Sequence, residues 1–168
     1  FKKKNLLESF FSGVLFHGLY LGGVFYSISK GMPTAIAALI VTLQPILTNI
    51  LSGPILGEKV SSNQWLGIFL GFIGSALVLG WDIGSGIPLY GFAATVISLI
   101  AITASTIWQK KLSNNLPLQV SNFYQALGGF TFHLLVIIFF IDPYINFTTT
   151  FLIAMSHQIF LVSLGAFT

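Results

Sequence analysis

Cysteine is absent from the 168 residues, which excludes disulfides, thiolate nucleophiles and Cys-ligated metals. Charge is almost as scarce, with 7 Lys plus Arg and 4 Asp plus Glu, or 7% of the chain. A soluble domain carries roughly 25% charged residues. So few charges cannot cover the surface of a water-soluble domain of this size, and that class is excluded together with a disordered chain. The net charge of +3 comes from scattered lysines. With no Arg-rich segment or basic patch, nucleic acid is excluded as a partner. The acids Glu8, Glu58, Asp82 and Asp142 all fall at the ends of apolar runs. No carboxylate pair or Ser/His/Asp set is thereby suggested, and the chain is read as not an enzyme. His17, His133 and His157 have no i,i+3 or i,i+4 spacing and no carboxylate inside an apolar run beside them. Neither a metal site nor a cofactor is expected.

What is abundant is oil. Hydrophobic residues make up 55% of the chain, and the mean hydropathy is +0.91. Uncharged stretches run 9–29, 31–57, 60–81, 83–109, 112–141 and 143–168. Each can hold a helix of about 20 residues, enough to cross a hydrocarbon core of ~30 Å. The hydrophobicity is all-round rather than alternating, which argues against a lipid-facing β-barrel. The expected fold is an all-α polytopic membrane bundle. Its six transmembrane helices are placed near 6–29, 33–56, 62–81, 87–110, 119–141 and 150–168. Short turns rich in Gly, Pro, Ser and Asp join them, with Pro33 near a helix start. Lysine gathers at alternate ends: Lys2, Lys3 and Lys4, then Lys59, then Lys110 and Lys111, against Lys30 alone on the other side. Cytoplasmic loops collect basic residues, so the first set is expected in the cytoplasm of a multi-pass cell-membrane protein, the bacterial inner membrane above all. Trp65, Trp81, Tyr90 and Trp108 fall near the expected interfaces, where aromatic anchors belong. The chain opens on Phe1 and stops at Thr168 inside an apolar run, so it is read as a piece of a longer protein.

Residues 25–80 carry a more specific pattern: small residues Ala35 and Ala38, a mid-helix Pro45, the turn Gly57-Glu58, then Gln64, Gly67, Gly71 and Gly74. This resembles the end of the first EamA repeat of the drug/metabolite transporter superfamily. Residues 87–141, where Trp108, Lys110 and Lys111 end one helix and a Pro-containing loop follows, look like the start of the second repeat. Ser27 departs from the pattern, since the family usually has Ala there. The resemblance implies ten helices in two inverted five-helix repeats. On that mapping 1–81 is the C-terminal part of the first repeat and 87–168 the N-terminal part of the second, together holding family helices three to eight.

Several polar residues fall inside the apolar runs. Pro45 removes a backbone donor and frees a carbonyl a turn earlier. A kink or unwound segment at that depth is tolerated only against protein or a water-filled cavity. Broken helices near the midplane often build transporter sites, where Gln44 and Asn49 could bind a polar solute. Alternatively, Pro45 bends the helix for packing and the amides bridge helices. His17 and Tyr20, three apart, share one helix face and are expected to face the interior. The resemblance, which places the family's central cavity partly on these two helices, favours the site. Ser98 and His157 complete the expected solute-binding set, although small hydroxyls such as Ser98 are more often packing glue. Gly67, Gly71 and Gly74 form a small-residue face suited to helix packing between the repeats or to a homodimer. The function these features point to is transport, by alternating access, of a small organic solute such as an amino acid or related metabolite, with export as its direction. A non-transporting membrane scaffold that associates through the Gly face is the alternative.

Overall fold

Each of the six apolar stretches carries helix in the computed structural model, which describes residues 2–58, 61–79, 86–113, 115–140, 147–157 and 159–160. Lys59, Trp81, Asp82, Asp142 and the end of the sixth expected helix lie outside the described residues. The helices are α1 (Lys3–Ser29), α2 (Thr34–Val41), α3 (Gln44–Leu56), α4 (Ser62–Leu79), α5 (Leu89–Leu112), α6 (Leu118–Phe140) and α7 (Thr149–Ser156). Four spans, α1, the α2–α3 pair, α5 and α6, are long and apolar enough to cross a membrane.

Local chemistry sets the boundaries. Pro33, Pro88 and Pro117 each precede a helix, and their carbonyls accept the N–H groups of Ala37, Phe92 and Ser121 at 2.9–3.0 Å. Proline there fixes φ and forfeits only a donor that a helix start leaves unpaired anyway. α4 begins with a capping box: Gln64 Oε1 accepts from the Ser61 N–H at 2.8 Å, and Ser61 Oγ accepts from the Gln64 N–H at 3.3 Å. Gly31 (φ +86°) and Gly57 (φ +72°) close α1 and α3 in the left-handed region, which other residues rarely adopt.

The expected second helix is broken. α2 ends at Val41, and α3 restarts at Gln44 with Pro45 in its first turn. Across the break the Leu43 N–H bonds the Ile40 carbonyl, a tighter turn than an α-helix makes, and Thr42 Oγ1 donates to the Leu39 carbonyl at 2.7 Å. α1, expected as a regular helix, is irregular. Its middle, Val14–Leu21, is π-helical, between α-helical Lys3–Gly13 and Gly22–Ser29. Such segments are uncommon and frequently occur at functional sites.

The chain divides into two units, Phe1–Leu135 and Val136–Thr168, each described by itself. In the second, Thr148 caps α7 by accepting the Phe151 N–H at 3.1 Å. In the first, α5 packs against α1, α2 and α3, and α4 touches α2. The interior of this unit combines a small apolar cluster, Met32, Ile36 and Ala37, with a row of buried hydroxyls. Gly91, Thr95, Ser98, Ile102, Ser105 and Gln109 recur every three or four residues along α5, so they form one stripe. Against it, Ser27 Oγ donates to the Gly91 carbonyl and meets Thr95 Oγ1, both at 2.7 Å. Ser12 Oγ meets Ser105 Oγ at 2.9 Å, and Gln109 Nε2 donates to Ser105 Oγ at 3.0 Å. α6 joins α1 through Ser9 and Ser121 (3.2 Å), and Gln125 Nε2 donates to Ser121 Oγ at 3.0 Å. Phe25, Phe69, Phe130 and Leu66 point outward. Small polar groups inside and large apolar ones outside is the arrangement lipid favours, because acyl chains give no hydrophobic drive between helices.

The pairings also fix relative directions. Ser27 with Gly91 and Ser12 with Ser105 make α1 and α5 antiparallel. Ser9 with Ser121 and His17 with His133 make α1 and α6 parallel. Lys110 Nζ donates to Glu58 Oε2 at 2.9 Å, setting the ends of α3 and α5 side by side. An ion pair this exposed contributes at most about 1 kcal/mol. Ser27→Ala should cost roughly 0.6–1.7 kcal/mol through the lost hydroxyl contacts. A thermal melt of the purified protein in detergent checks this, and an unchanged midpoint would contradict the seam.

Candidate functional site: a cleft at the broken helix

The break between α2 and α3 opens onto a cleft of about 550 Å³. Val41, Thr42, Gln44 and Pro45 form one wall, Tyr20 of α1 and Ile102 of α5 stand beside them, and Gly67, Ile68, Gly71, Phe72 and Ser75 of α4 complete the lining. Each helix reaches the cleft for a physical reason. The π-helical turns carry Tyr20, whose ring packs edge-on against Phe16 at 5.7 Å. Pro45 cannot bond back to Val41, so the chain turns and presents Gln44 at the new helix start. α4 contributes backbone where Gly67 and Gly71 lack side chains; a Cβ built at either position meets nothing within 4 Å.

The lining is neutral. Hydroxyls, one amide and two aromatic rings supply its chemistry, with no carboxylate, lysine or imidazole among the described lining residues. Gln44 Nε2 donates to Thr48 Oγ1 and to Thr106 Oγ1 of α5, each at 3.2 Å. These contacts occupy the amide nitrogen and leave the Gln44 carbonyl oxygen as the acceptor a solute would use. Such an arrangement can hold an uncharged or internally neutral molecule by hydrogen bonds and ring contact.

The structure brings together only part of the expected set. Tyr20, Gln44 and Pro45 share the cleft. His17 turns toward α6: its Cβ abuts Gly129, and its carbonyl accepts from His133 Nε2 at 2.9 Å. Asn49, half-buried further along α3, does not line the cleft, and its carbonyl accepts from Ser52 Oγ at 3.1 Å. Ser98 is buried in the α1–α5 seam, donating to the Ala94 carbonyl at 2.8 Å and facing Gly23. His157 belongs to the second unit, where it is exposed. The close helix approach expected at Gly67, Gly71 and Gly74 is not made by any described residue; two of these glycines border the cleft instead. Thr42 and Thr106 stand out in the sequence as hydroxyls inside apolar runs, whereas Phe72, one apolar residue among many, carries no signal there.

A helical bundle with hydroxyls inside, apolar surfaces outside and several spanning helices is a multi-pass membrane protein. Residues 1–80 match the model of the EamA-like transporter family. It is 25% identical over 172 residues to an uncharacterized transporter, YvbV, of Bacillus subtilis (strain 168), a match covering 96% of this chain and 55% of that protein. It is 27% identical over 95 residues to a probable amino-acid metabolite efflux pump of Salmonella typhimurium, covering 56% of this chain and 32% of the pump. The chain thus spans about half the length of the first relative and a third of the second. No solved structure matches it.

Proposed function

We propose that this chain is the central portion of a secondary transporter that moves a small organic solute across the membrane by alternating access. On this reading 1–81 closes one five-helix repeat and 87–168 opens its inverted partner. The cleft at the helix break is part of the solute path. The observation that carries the proposal is that Tyr20 and Gln44, distant in sequence, line one cleft beside an interrupted helix. Interrupted helices next to a cavity are a recurring way for transporters to build a site at membrane depth. The neutral lining suits a solute such as an amino acid or related metabolite, and the name of the Salmonella relative supports export. The Lys2–Lys4, Lys59 and Lys110–Lys111 ends face the cytoplasm on this reading, in the bacterial inner membrane. His17, Asn49, Ser98 and His157 are assigned to the path only where helices beyond the described residues reshape it. The open Gly67, Gly71 and Gly74 positions favour a second reading, association of this face with another helix or a second copy.

The test is counterflow of labelled amino acids in proteoliposomes holding the full-length protein. Gln44→Ala should lower transport roughly three- to tenfold, the worth of one hydrogen bond, chiefly through a raised half-saturation concentration. Thr106→Val breaks the link to α5 but keeps the amide. If it is as damaging as Gln44→Ala, the amide is a helix bridge and not a solute contact. If the protein transports none of the solutes in the panel, association becomes the better reading.

A further inference from the structure

A second opening lies between α3 and α5, about 450 Å³ in volume and turned away from the cleft. Along α5 it is lined by Ile100, Thr103, Ala104, Ile107, Trp108 and Lys111, and along α3 by Leu47, Leu51 and Ile55. These positions follow helical spacing, so each set forms one continuous strip. Ile102, which lines the cleft, falls on the other side of α5 by helical periodicity. The groove is a shallow apolar channel that runs parallel to the helices and ends at a cation.

Its dimensions and charge select an occupant. From Ile100 to Lys111 the helix rises roughly 16 Å. That is about half of a ~30 Å hydrocarbon core, the depth of one leaflet. Thr103 is buried and its Oγ1 donates to the Leu99 carbonyl at 2.7 Å, so the wall offers a polar guest no free hydroxyl donor. At the open end Lys110 is paired with Glu58, whereas Lys111 has no ion-pair partner among the described residues and is exposed. Trp108 lies one turn inside it, at the level where an amphipathic ring meets the headgroups. An apolar channel one leaflet deep, with an aromatic ring and an unneutralised ammonium at its mouth, is complementary to a chain that ends in a phosphate. We propose that this groove binds one acyl chain of an anionic glycerophospholipid, with the headgroup phosphate against Lys111.

Trp108 reports on the groove directly. In a background where Trp65, Trp81 and every tryptophan outside these 168 residues are replaced by Phe, it is the remaining tryptophan. The full-length protein is reconstituted in phosphatidylcholine vesicles containing a small fraction of lipid brominated in its acyl chains, which quenches tryptophan on contact. Brominated phosphatidylglycerol should quench Trp108 about fivefold more effectively than brominated phosphatidylcholine at equal mole fraction, the preference one lysine confers near an anionic headgroup. Lys111→Gln should erase the difference between headgroups while leaving quenching itself in place. Ala104→Phe, which fills the groove floor at an exposed position, should reduce quenching by both lipids. Equal quenching by the two headgroups in the unaltered groove overturns the assignment to Lys111. Absence of quenching by either lipid overturns the site itself, and means that another segment of the protein or a second copy covers it.

Discussion

Gly13→Leu should leave little folded protein. A Cβ at Gly13 would overlap the carbonyl oxygen and Cα of Gln125, so the obstacle is backbone and cannot swing aside as a side chain would. Overpacked sites typically cost 1–3 kcal/mol, and a clash with main chain falls at or beyond the upper end. Only a loss beyond that end, as main-chain overlap on both faces of the seam implies, exhausts a stability at the low end of roughly 5–15 kcal/mol. The same logic applies at Gly128, where a Cβ meets the Phe10 carbonyl, and at Gly129, where it meets the His17 Cβ. Gly74→Leu is the matched control, since nothing lies within 4 Å of its Cβ position. The expected result is a lost monodisperse peak on size-exclusion chromatography for Gly13→Leu and an intact one for Gly74→Leu. Equal behaviour of the two would mean that α1 and α6 do not approach as described.

That contrast shows where sequence reasoning succeeds and where it stops. Four of the six expected spans are found among the described residues, readable from the apolar runs because helix length and hydropathy depend only on the chain and the bilayer. The break before α3 was also readable, because Pro45 acts on its own backbone wherever it is placed. The glycines are different. Gly67, Gly71 and Gly74 have the spacing of a packing face, yet spacing describes one surface and says nothing of what lies opposite. Gly13, Gly128 and Gly129 have no comparable signature between them and still form a close seam, because contact is a property of the pair. The π-helical stretch in α1 was hidden for the same reason. Phe132 and His133 pack over Gly18 and Gly22, and His133 bonds the His17 carbonyl, so the partners that surround those turns come from α6. The site was half readable. Gln44 and Tyr20 stand out as polar or amphipathic groups in apolar runs, but Ser98 and His17 stand out equally and are turned into helix seams. Polarity inside a span marks an inward direction without distinguishing a cavity from a neighbouring helix.

Gly71→Phe separates those two meanings in a single experiment. The substitution starts from a Cβ position that meets no atom within 4 Å and borders the open cleft, so the backbone around it need not move. It also replaces glycine inside a helix, a change that favours the helical state by a few tenths of a kcal/mol. Folding should therefore be untouched, and the melting midpoint in detergent should stay within a degree or two of the parent, as expected for a surface change. The ring nevertheless enters the cleft between α4 and the Tyr20–Gln44 wall. If solute passes there, transport should fall by roughly tenfold or more, about 1.4 kcal/mol on the barrier. A graded series sharpens the test: Gly71→Ala should be mild, Gly71→Leu intermediate and Gly71→Phe severe, with loss following side-chain volume while stability stays flat. Association through the glycine face makes a different forecast, because a bulky residue would then weaken self-association, read as a shift in oligomeric state by light scattering, and leave flux per protomer unchanged. Transport that survives Gly71→Phe at parental rates would remove the cleft from the solute path, however well its residues are arranged.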